Sequence, residues 1–474
     1  MKRRTFIQNT ALLGAGLATQ KFSKALTLQN FPEVRTPKAE RHFNSDVIES
    51  VIQEFSENSP NKELAWLFNN CFPNTLDTTV YPETKNGKPS TYVITGDIDA
   101  MWLRDSSAQV WPYLPFMEKD KDLQKLIVGL IHKQSECINI DPYANAFYND
   151  PTKEGDWFSD DTDMKPGIHE RKWEIDSLCY PIRLAYAYWR ETKDTSPFDE
   201  NWVEAQKKIY TTFVEQQRKD NLGPYTFQRK ALRGSDTLQV DGYGYPVNPV
   251  GLICSSFRPS DDSTIFSFLI PSNLFAVVSL HQSAEILRTV KQEYELANKM
   301  EKLALEVEKA VNRYGIIDHP EHGRVYAYEV DGFGSYLMMD DANIPSLLSL
   351  PYLGAVSPTD PVYLQTRKYI LSDKNPFFFK GKAAEGIGGP HIGLNYIWHM
   401  AIIMKALTTT KEEEVRDSIR TLIKTHGDTG FMHESFHKDD PKDFTRHWFA
   451  WTNTLFGELI WKTYKEKPYL LKEL

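Results

Sequence analysis

The stretch Thr95-Gly-Asp-Ile-Asp-Ala-Met-Trp-Leu-Arg-Asp-Ser-Ser107 gathers Asp97, Asp99 and Asp105, one arginine (Arg104) and one tryptophan (Trp102) beside a glycine. Buried charges need partners, so a cluster this dense is either a satisfied internal network or a polar ligand site. Carboxylates and a guanidinium hydrogen-bond hydroxyls, and an indole offers an apolar face, which together suit a sugar. The Asp97-Ile-Asp99 pair also admits a metal or nucleotide-sugar reading. The cluster lies just before a run of helical periodicity, Ser106 to Met117, and that arrangement recurs along the chain.

Working outward, helical spacing of apolar residues marks Asp46–Glu57 (behind Ser45 as N-cap), Lys62–Cys71, Lys121–Ile138, Glu174–Glu191, Glu200–Arg218, Ser272–Thr289 and Gln292–Arg313. It continues at Tyr363–Ser372, Ile392–Leu407, Glu412–Thr425 and Trp448–Lys465. Strand signals are short and local, at Thr78–Tyr81, Thr91–Ile94 and Val325–Val330. About a dozen helices in consecutive pairs, with no linker dividing them and no fixed-period repeat, predict an all-α chain folded as one α/α barrel rather than a solenoid. Long loops in compact domains are usually functional, and here the acidic and aromatic clusters fall in them.

Four further clusters join the first. Arg171–Leu178 places Trp173, Glu174 and Asp176 at a helix start. Ser256–Asp262 sets Arg258 near Asp261 and Asp262, with Pro259 stiffening the backbone. Met339–Asn343 carries Asp340 and Asp341 before an apolar stretch expected to be helical, and Met432–His437 frames Glu434 with His433 and His437. Glycosidic cleavage needs one carboxyl group to protonate the leaving oxygen and a second to attack or to activate water. An isolated Asp-Asp pair is more often a cap or a solvated turn; several such clusters in the loops of one helical chain carry the signal. His433-Glu-Ser-Phe-His437 also spells HExxH, so a zinc-dependent hydrolase is an alternative, although that site needs a regular helix and the flanks here read as loop. Phosphate-binding glycine loops and the GxSxG elbow are missing.

The ordered motifs GDIDAMWLRDSSAQVWPY (96–113), KWEIDSLCYP (172–181), FRPSDD (257–262), MDDAN (339–343) and HESF (433–436) closely resemble glycoside hydrolase family 125, the exo-α-1,6-mannosidases, from about Ser45 to the end. The resemblance implies an (α/α)6 barrel with short local β hairpins in its loops, no metal or other cofactor, and hydrolysis with inversion. It implies Asp261 as general acid, with Asp262 as the alternative, and Glu434 as general base. The terminal mannose of an α-mannoside oligosaccharide or N-glycan-derived substrate is then expected to meet Asp97, Asp99, Arg104, Asp105, Asp176, Arg258, Asp262, Asp341 and His433, with Trp102 and Trp451 as apolar faces. A non-catalytic glycan-binding protein is the alternative from another class.

Composition agrees with a soluble enzyme on a neutral substrate. The 474 residues are 41% hydrophobic and 25% charged with a net charge of -9, which supplies no basic stripe for nucleic acid. Lys2-Arg-Arg4, the apolar run from Phe6 to Ala18 and Ser23-Lys-Ala25 predict an export signal over 1–25, in which Arg3-Arg-Thr-Phe-Ile7 also resembles a twin-arginine pattern, and a periplasmic destination. A linker over 26–43 and a catalytic domain over 44–474 follow, with no membrane insertion expected in the mature protein. The four widely spaced cysteines fit buried thiols rather than a disulfide scaffold.

Overall fold

The computed structural model describes residues 31–472 and Leu474; the expected export signal lies outside the described residues. The compact body begins at Val34, earlier than expected. The stretch read as linker is fastened to it, because buried Arg35 donates to Asp77 (2.7 Å) and to Glu49 (2.6 Å).

Thirteen α-helices are described: α1 (Asp46–Asn58), α2 (Lys62–Cys71), α3 (Asn74–Thr78), α4 (Leu103–Val110), α5 (Lys121–Ile140), α6 (Ile175–Thr192), α7 (Glu200–Gln216), α8 (Ile270–Ile286), α9 (Tyr294–Ala310), α10 (Pro361–Ile370), α11 (His399–Leu407), α12 (Glu412–Thr425) and α13 (Ala450–Glu466). They form an (α/α)6 barrel. Helices α4, α6, α8, α11 and α13 are buried along nearly their whole length and make the inner ring. Helix α8 is apolar on every side (IPSNLFAVVSL), as a helix surrounded by others must be. The outer helices are amphipathic, α12 being a clear case with Ile419, Leu422 and Ile423 inward and a charged outer face.

The sixth inner position departs from the expected helix after Met339–Asn343. It is a string of turns from Ser346 to Gly354, because Pro345 and Pro351 interrupt the helical hydrogen-bond ladder. The buried Asp340 carboxylate anchors it by accepting from the amides of Leu347 (2.8 Å) and Leu348 (3.0 Å). Two helices also start or stop differently. Pro112 and Pro115 turn the expected helix at 106–117 into α4 followed by a 3-10 segment, Trp111–Phe116. The segment 392–398 is no helix, since Tyr396–Trp398 pairs as a strand with Ser435–His437.

Short strands precede three inner helices and orient their starts. Met101–Trp102 pairs with Ala146–Phe147 before α4, Phe268–Leu269 with Glu329–Val330 before α8, and Tyr396–Trp398 with Ser435–His437 before α11. The strands expected near 78–94 appear, longer, as the hairpin Val80–Lys85 with Lys88–Val93; the one expected at Val325–Val330 is split between Gly323–Tyr326, which pairs with Ile316–His319, and Glu329–Val330. All four cysteines are buried free thiols. Among the described residues no helix is long and apolar enough to cross a membrane.

Packing between the rings is tight where α13 crosses the end of α2. A Cβ on Gly457 would stand 2.4 Å from the Phe72 ring and 2.9 Å from its backbone Cα. Helix propensity alone favours alanine there by roughly 0.8–1 kcal/mol. Overpacking a filled core costs about 1–3 kcal/mol, and here the obstacle includes backbone. Gly457→Ala should therefore lower the urea unfolding midpoint; an unchanged or raised midpoint would show that the α2–α13 contact relaxes freely.

Candidate active site

The inner helices begin around a cavity of about 110 Å³ whose wall includes Thr95, Trp102, Arg104, Asp105, Asp261, Asn343, His391, Trp398, Glu434, Arg446, Phe449 and Trp451. All five expected sequence clusters reach it or its immediate support. At its floor, Arg104 in the first turn of α4 is 3% exposed. Its guanidinium meets Glu174 (2.6 Å), Asp176 (3.2 Å), Asp105 (3.3 Å) and Asp261 (3.5 Å). One cation thus serves four carboxyl groups in a dry setting, so they cannot all remain ionised at their ordinary cost. Burial raises Glu174 well above the carboxylate range despite Arg104, and takes Asp176 to about 6.

Asp261 sits at the tip of the Phe257–Asp262 loop with φ +67°, a left-handed conformation uncommon outside glycine and often found at active sites. Two backbone contacts hold it there: its amide donates to the Arg258 carbonyl (2.9 Å), and buried Lys172 donates to its own carbonyl (2.9 Å). A quarter of its side chain stays open to the pocket. Burial pushes its carboxyl group up, but Arg104 and Lys172 outweigh that and hold it below the usual range. Glu174 and Asp261 share the Arg104 guanidinium, Glu174 on Nη1 and Asp261 on Nη2.

Glu434 lies across the pocket, 7% exposed, with Arg446 3.7 Å away. Arg446 also donates to the Thr95 carbonyl (3.0 Å) and to Asp97, tying the Glu434 loop to the Thr95–Asp105 cluster. His433 is buried behind Glu434. Its Nδ1 meets the Arg446 carbonyl (3.0 Å), and its ring stacks on Phe444 with centroids 3.8 Å apart. Burial lowers it to about 4, so it is a neutral structural group rather than a pocket wall. The HExxH letters do not form a helix, since Ser435–His437 is a strand.

Other expected site residues divide by depth. Trp102, Arg104, Asp105 and Trp451 line the pocket. Asp97 and Asp99 do not: their side chains are 53% and 78% exposed, bound to Arg446 and to Lys153 at the rim. Asp176, Arg258, Asp262 and Asp341 stand behind the wall. Arg258 pairs with Glu329 (2.7 Å), and the Asp341 carboxylate accepts from the Asn343 amide (3.0 Å), which presents Asn343 to the pocket. Asp262 lies 3.6 Å from His391. Burial would lower His391, but the Asp262 contact raises it to about 9 and keeps it a cation.

His391, Trp398, Arg446 and Phe449 escaped the sequence reading, because none sits in an acidic cluster. Trp398 and Phe449 immediately precede α11 and α13, the same position Trp102 holds before α4, and that recurrence was the available signal. Among the described residues, the indole N–H groups of Trp102 and Trp398 lack a protein acceptor. Buried donors at a pocket wall are normally satisfied, so a ligand oxygen is their natural partner.

The family of metal-independent α-mannosidases, glycoside hydrolase family 125, matches residues 61–461 of this chain. The meiotically up-regulated gene 157 protein of Schizosaccharomyces pombe is 42% identical over 455 residues, spanning 91% of this chain and 88% of its own. A structure of a metal-independent α-mannosidase from Streptococcus pneumoniae, in a non-productive complex with α-1,6-mannobiose, superposes with a TM-score of 0.86 at 41% identity, covering 90% of this chain and all of the other. A bacterial glucoamylase at 12% identity and a TM-score of 0.52, covering 79% of this chain and 51% of its own, shares the fold alone. The chain is a glycoside hydrolase and belongs to family 125, the metal-independent α-mannosidases.

Proposed function

We propose that the protein is exo-acting, releases terminal α-1,6-linked mannose, and inverts the anomeric centre. Asp261 is the general acid toward the leaving O6, and Glu434 is the general base toward the attacking water. The observation that carries the reading is that these two carboxyl groups, from loops far apart in sequence, face one pocket, each beside its own cation: Arg104 for Asp261, Arg446 for Glu434. An inverting route needs its two carboxyl groups far enough apart to admit a water, whereas a retaining route needs them close. The exo mode is supported by the floor, where Arg104, Asp105 and Trp451 close the pocket at the starts of inner helices. The 1,6 linkage rests on the mannobiose bound by the pneumococcal relative. Export to the periplasm belongs to the same proposal, on the basic and apolar pattern of the first 25 residues.

Within this pocket, Trp102 and Trp398 offer N–H donors to sugar oxygens, and Asn343 and Asp105 offer polar groups to hydroxyls. Asp262 acts through His391 rather than on the leaving oxygen: it is buried beneath the wall and engaged with His391 and Ser260.

Proton NMR of α-1,6-mannobiose hydrolysis should show β-mannose before mutarotation, with 1,2- and 1,3-linked mannobioses hydrolysed far more slowly. Early α-mannose would refute inversion, and mannoside binding without release of mannose would favour a purely binding protein. Asp261→Asn and Glu434→Gln should each lower kcat by about 10²–10⁴-fold, the usual worth of a positioned acid or base, while mannose binding by calorimetry persists. An active Asp261→Asn beside an inactive Asp262→Asn would move the acid by one residue.

A further inference from the structure

An acid catalyst must carry its proton at the working pH, and the surroundings of Asp261 work against this. Arg104 and Lys172 both face its carboxyl region, His391 approaches from the pocket side, and Asn145 donates to Oδ1 (3.3 Å). Each favours the ionised form. Glu170 and Asp105 are further carboxyl groups near this centre, and His169 is held neutral by burial.

Glu174 is the opposite case. It is fully buried as the residue before α6, and its Oε2 accepts from Arg104 (2.6 Å) and from Ser177 (2.9 Å). Its Oε1 has no conventional donor among the described residues. What it does have beside it is the Asp261 carboxyl group on the same guanidinium, Glu174 on Nη1 (2.6 Å) and Asp261 on Nη2 (3.5 Å), so the two acids sit side by side with one buried, unpartnered oxygen between them and a single cation. Asp176, also on Arg104, is the remaining acid facing it.

We propose that Glu174 and Asp261 form a proton-sharing pair in which buried Glu174 stores the proton and Asp261 delivers it. The inference rests on Asp261 being the general acid. The O–H bond of Glu174 breaks as one forms on Asp261. That proton then passes to O6 as the C1–O6 bond breaks, and Asp261 is again a carboxylate. Glu174 is left ionised against Arg104 and Ser177, which are already in place to receive the charge. The proton that Glu434 takes from the attacking water returns to solvent, and solvent recharges the pair. Glu174 acts through Asp261 and never touches the sugar, which makes it a positioning residue. The pair also gives the depressed Asp261 a purpose: a carboxylate that holds its proton weakly passes it on readily once a neighbour supplies it.

The test is Glu174→Gln on two substrates, α-1,6-mannobiose and 2,4-dinitrophenyl α-mannoside, whose leaving group needs no proton. On mannobiose kcat should fall about a hundredfold or more, the usual worth of general acid catalysis, while the dinitrophenyl substrate loses only a few-fold. The alkaline limb of kcat/KM on mannobiose should move to lower pH. The sign follows because Glu174 keeps its proton above the ordinary carboxyl range, whereas Asp261 alone beside Arg104 and Lys172 loses its proton below it. Glu174→Asp, which keeps an acid there, should recover part of the mannobiose rate and of the limb. Equal losses on both substrates, or an unmoved limb in both variants, would overturn the pair and leave Glu174 a structural group. Asp261→Asn, run in parallel, separates the two readings. If it keeps the mannobiose rate, Asp261 is not the acid and both fall; if it alone shows the leaving-group dependence, only the pair falls.

Discussion

The arrangement of the site depends on one buried guanidinium. Arg104 is the shared partner of Asp105, Glu174, Asp176 and Asp261, and these come from three separate parts of the chain. Removing an ionised carboxylate from water costs several kcal/mol, and one cation cannot repay four such costs. The surplus charge has to be discharged by holding protons, so the pocket contains carboxyl groups pushed up (Glu174, Asp176) beside one held down (Asp261). Paired titratable groups with pKa values driven apart are what acid catalysis requires, and here the separation follows from counting charges around Arg104.

The helix starts divide between the two rings of the barrel. Outer helices α1, α2, α5, α7 and α10 are closed by side-chain caps from Ser45, Asn61, Asp120, Asp199 and Asp360. Inner helices α4, α6, α8, α11 and α13 begin behind Trp102, Glu174, Leu269, Trp398 and Phe449, none of which caps its own helix with a side-chain hydrogen bond. A cap is worth about 1 kcal/mol, so five inner starts forgo a readily available stabilisation. Loop acceptors take the first amide of three of them instead, the Asn145 carbonyl for Leu103 (3.0 Å), Ser255 Oγ for Ile175 (3.2 Å) and the Tyr328 carbonyl for Ile270 (2.9 Å), which fastens these helix starts to the loops around the pocket.

Much of this was legible in the chain. Helical periodicity located the outer helices closely, since an amphipathic surface helix writes its inward face into the sequence. The acidic clusters found the loops that build the pocket. Depth was not legible: Asp97, Asp99 and Asp105 share one cluster, yet the turn at 96–100 sends the first two to the rim and the third to the floor. Arg446 escaped because its importance lies in bridging Thr95, Asp97 and Glu434, contacts that sequence separation conceals. Glu174 was visible beside Trp173 and Asp176. Its raised pKa comes from complete burial, which is not written in local sequence.

Asp261 and Glu434 are carried on loops that are fastened separately. The Asp261 loop is fastened by Lys172 and by the carbonyl of Arg258, whose side chain is locked to Glu329. The Glu434 loop is fastened by neutral histidines: His399 contacts the amide of His433 (3.1 Å) and reaches Thr425 at the end of α12, while His433 lies flat on Phe444. Burial holds both rings uncharged, His399 at about 3 and His433 at about 4, so neither places a competing cation behind Glu434. The two fastenings thus lie in different parts of the barrel, the Asp261 loop tied to Lys172 just before α6 and the Glu434 loop tied through His399 of α11 to Thr425 of α12.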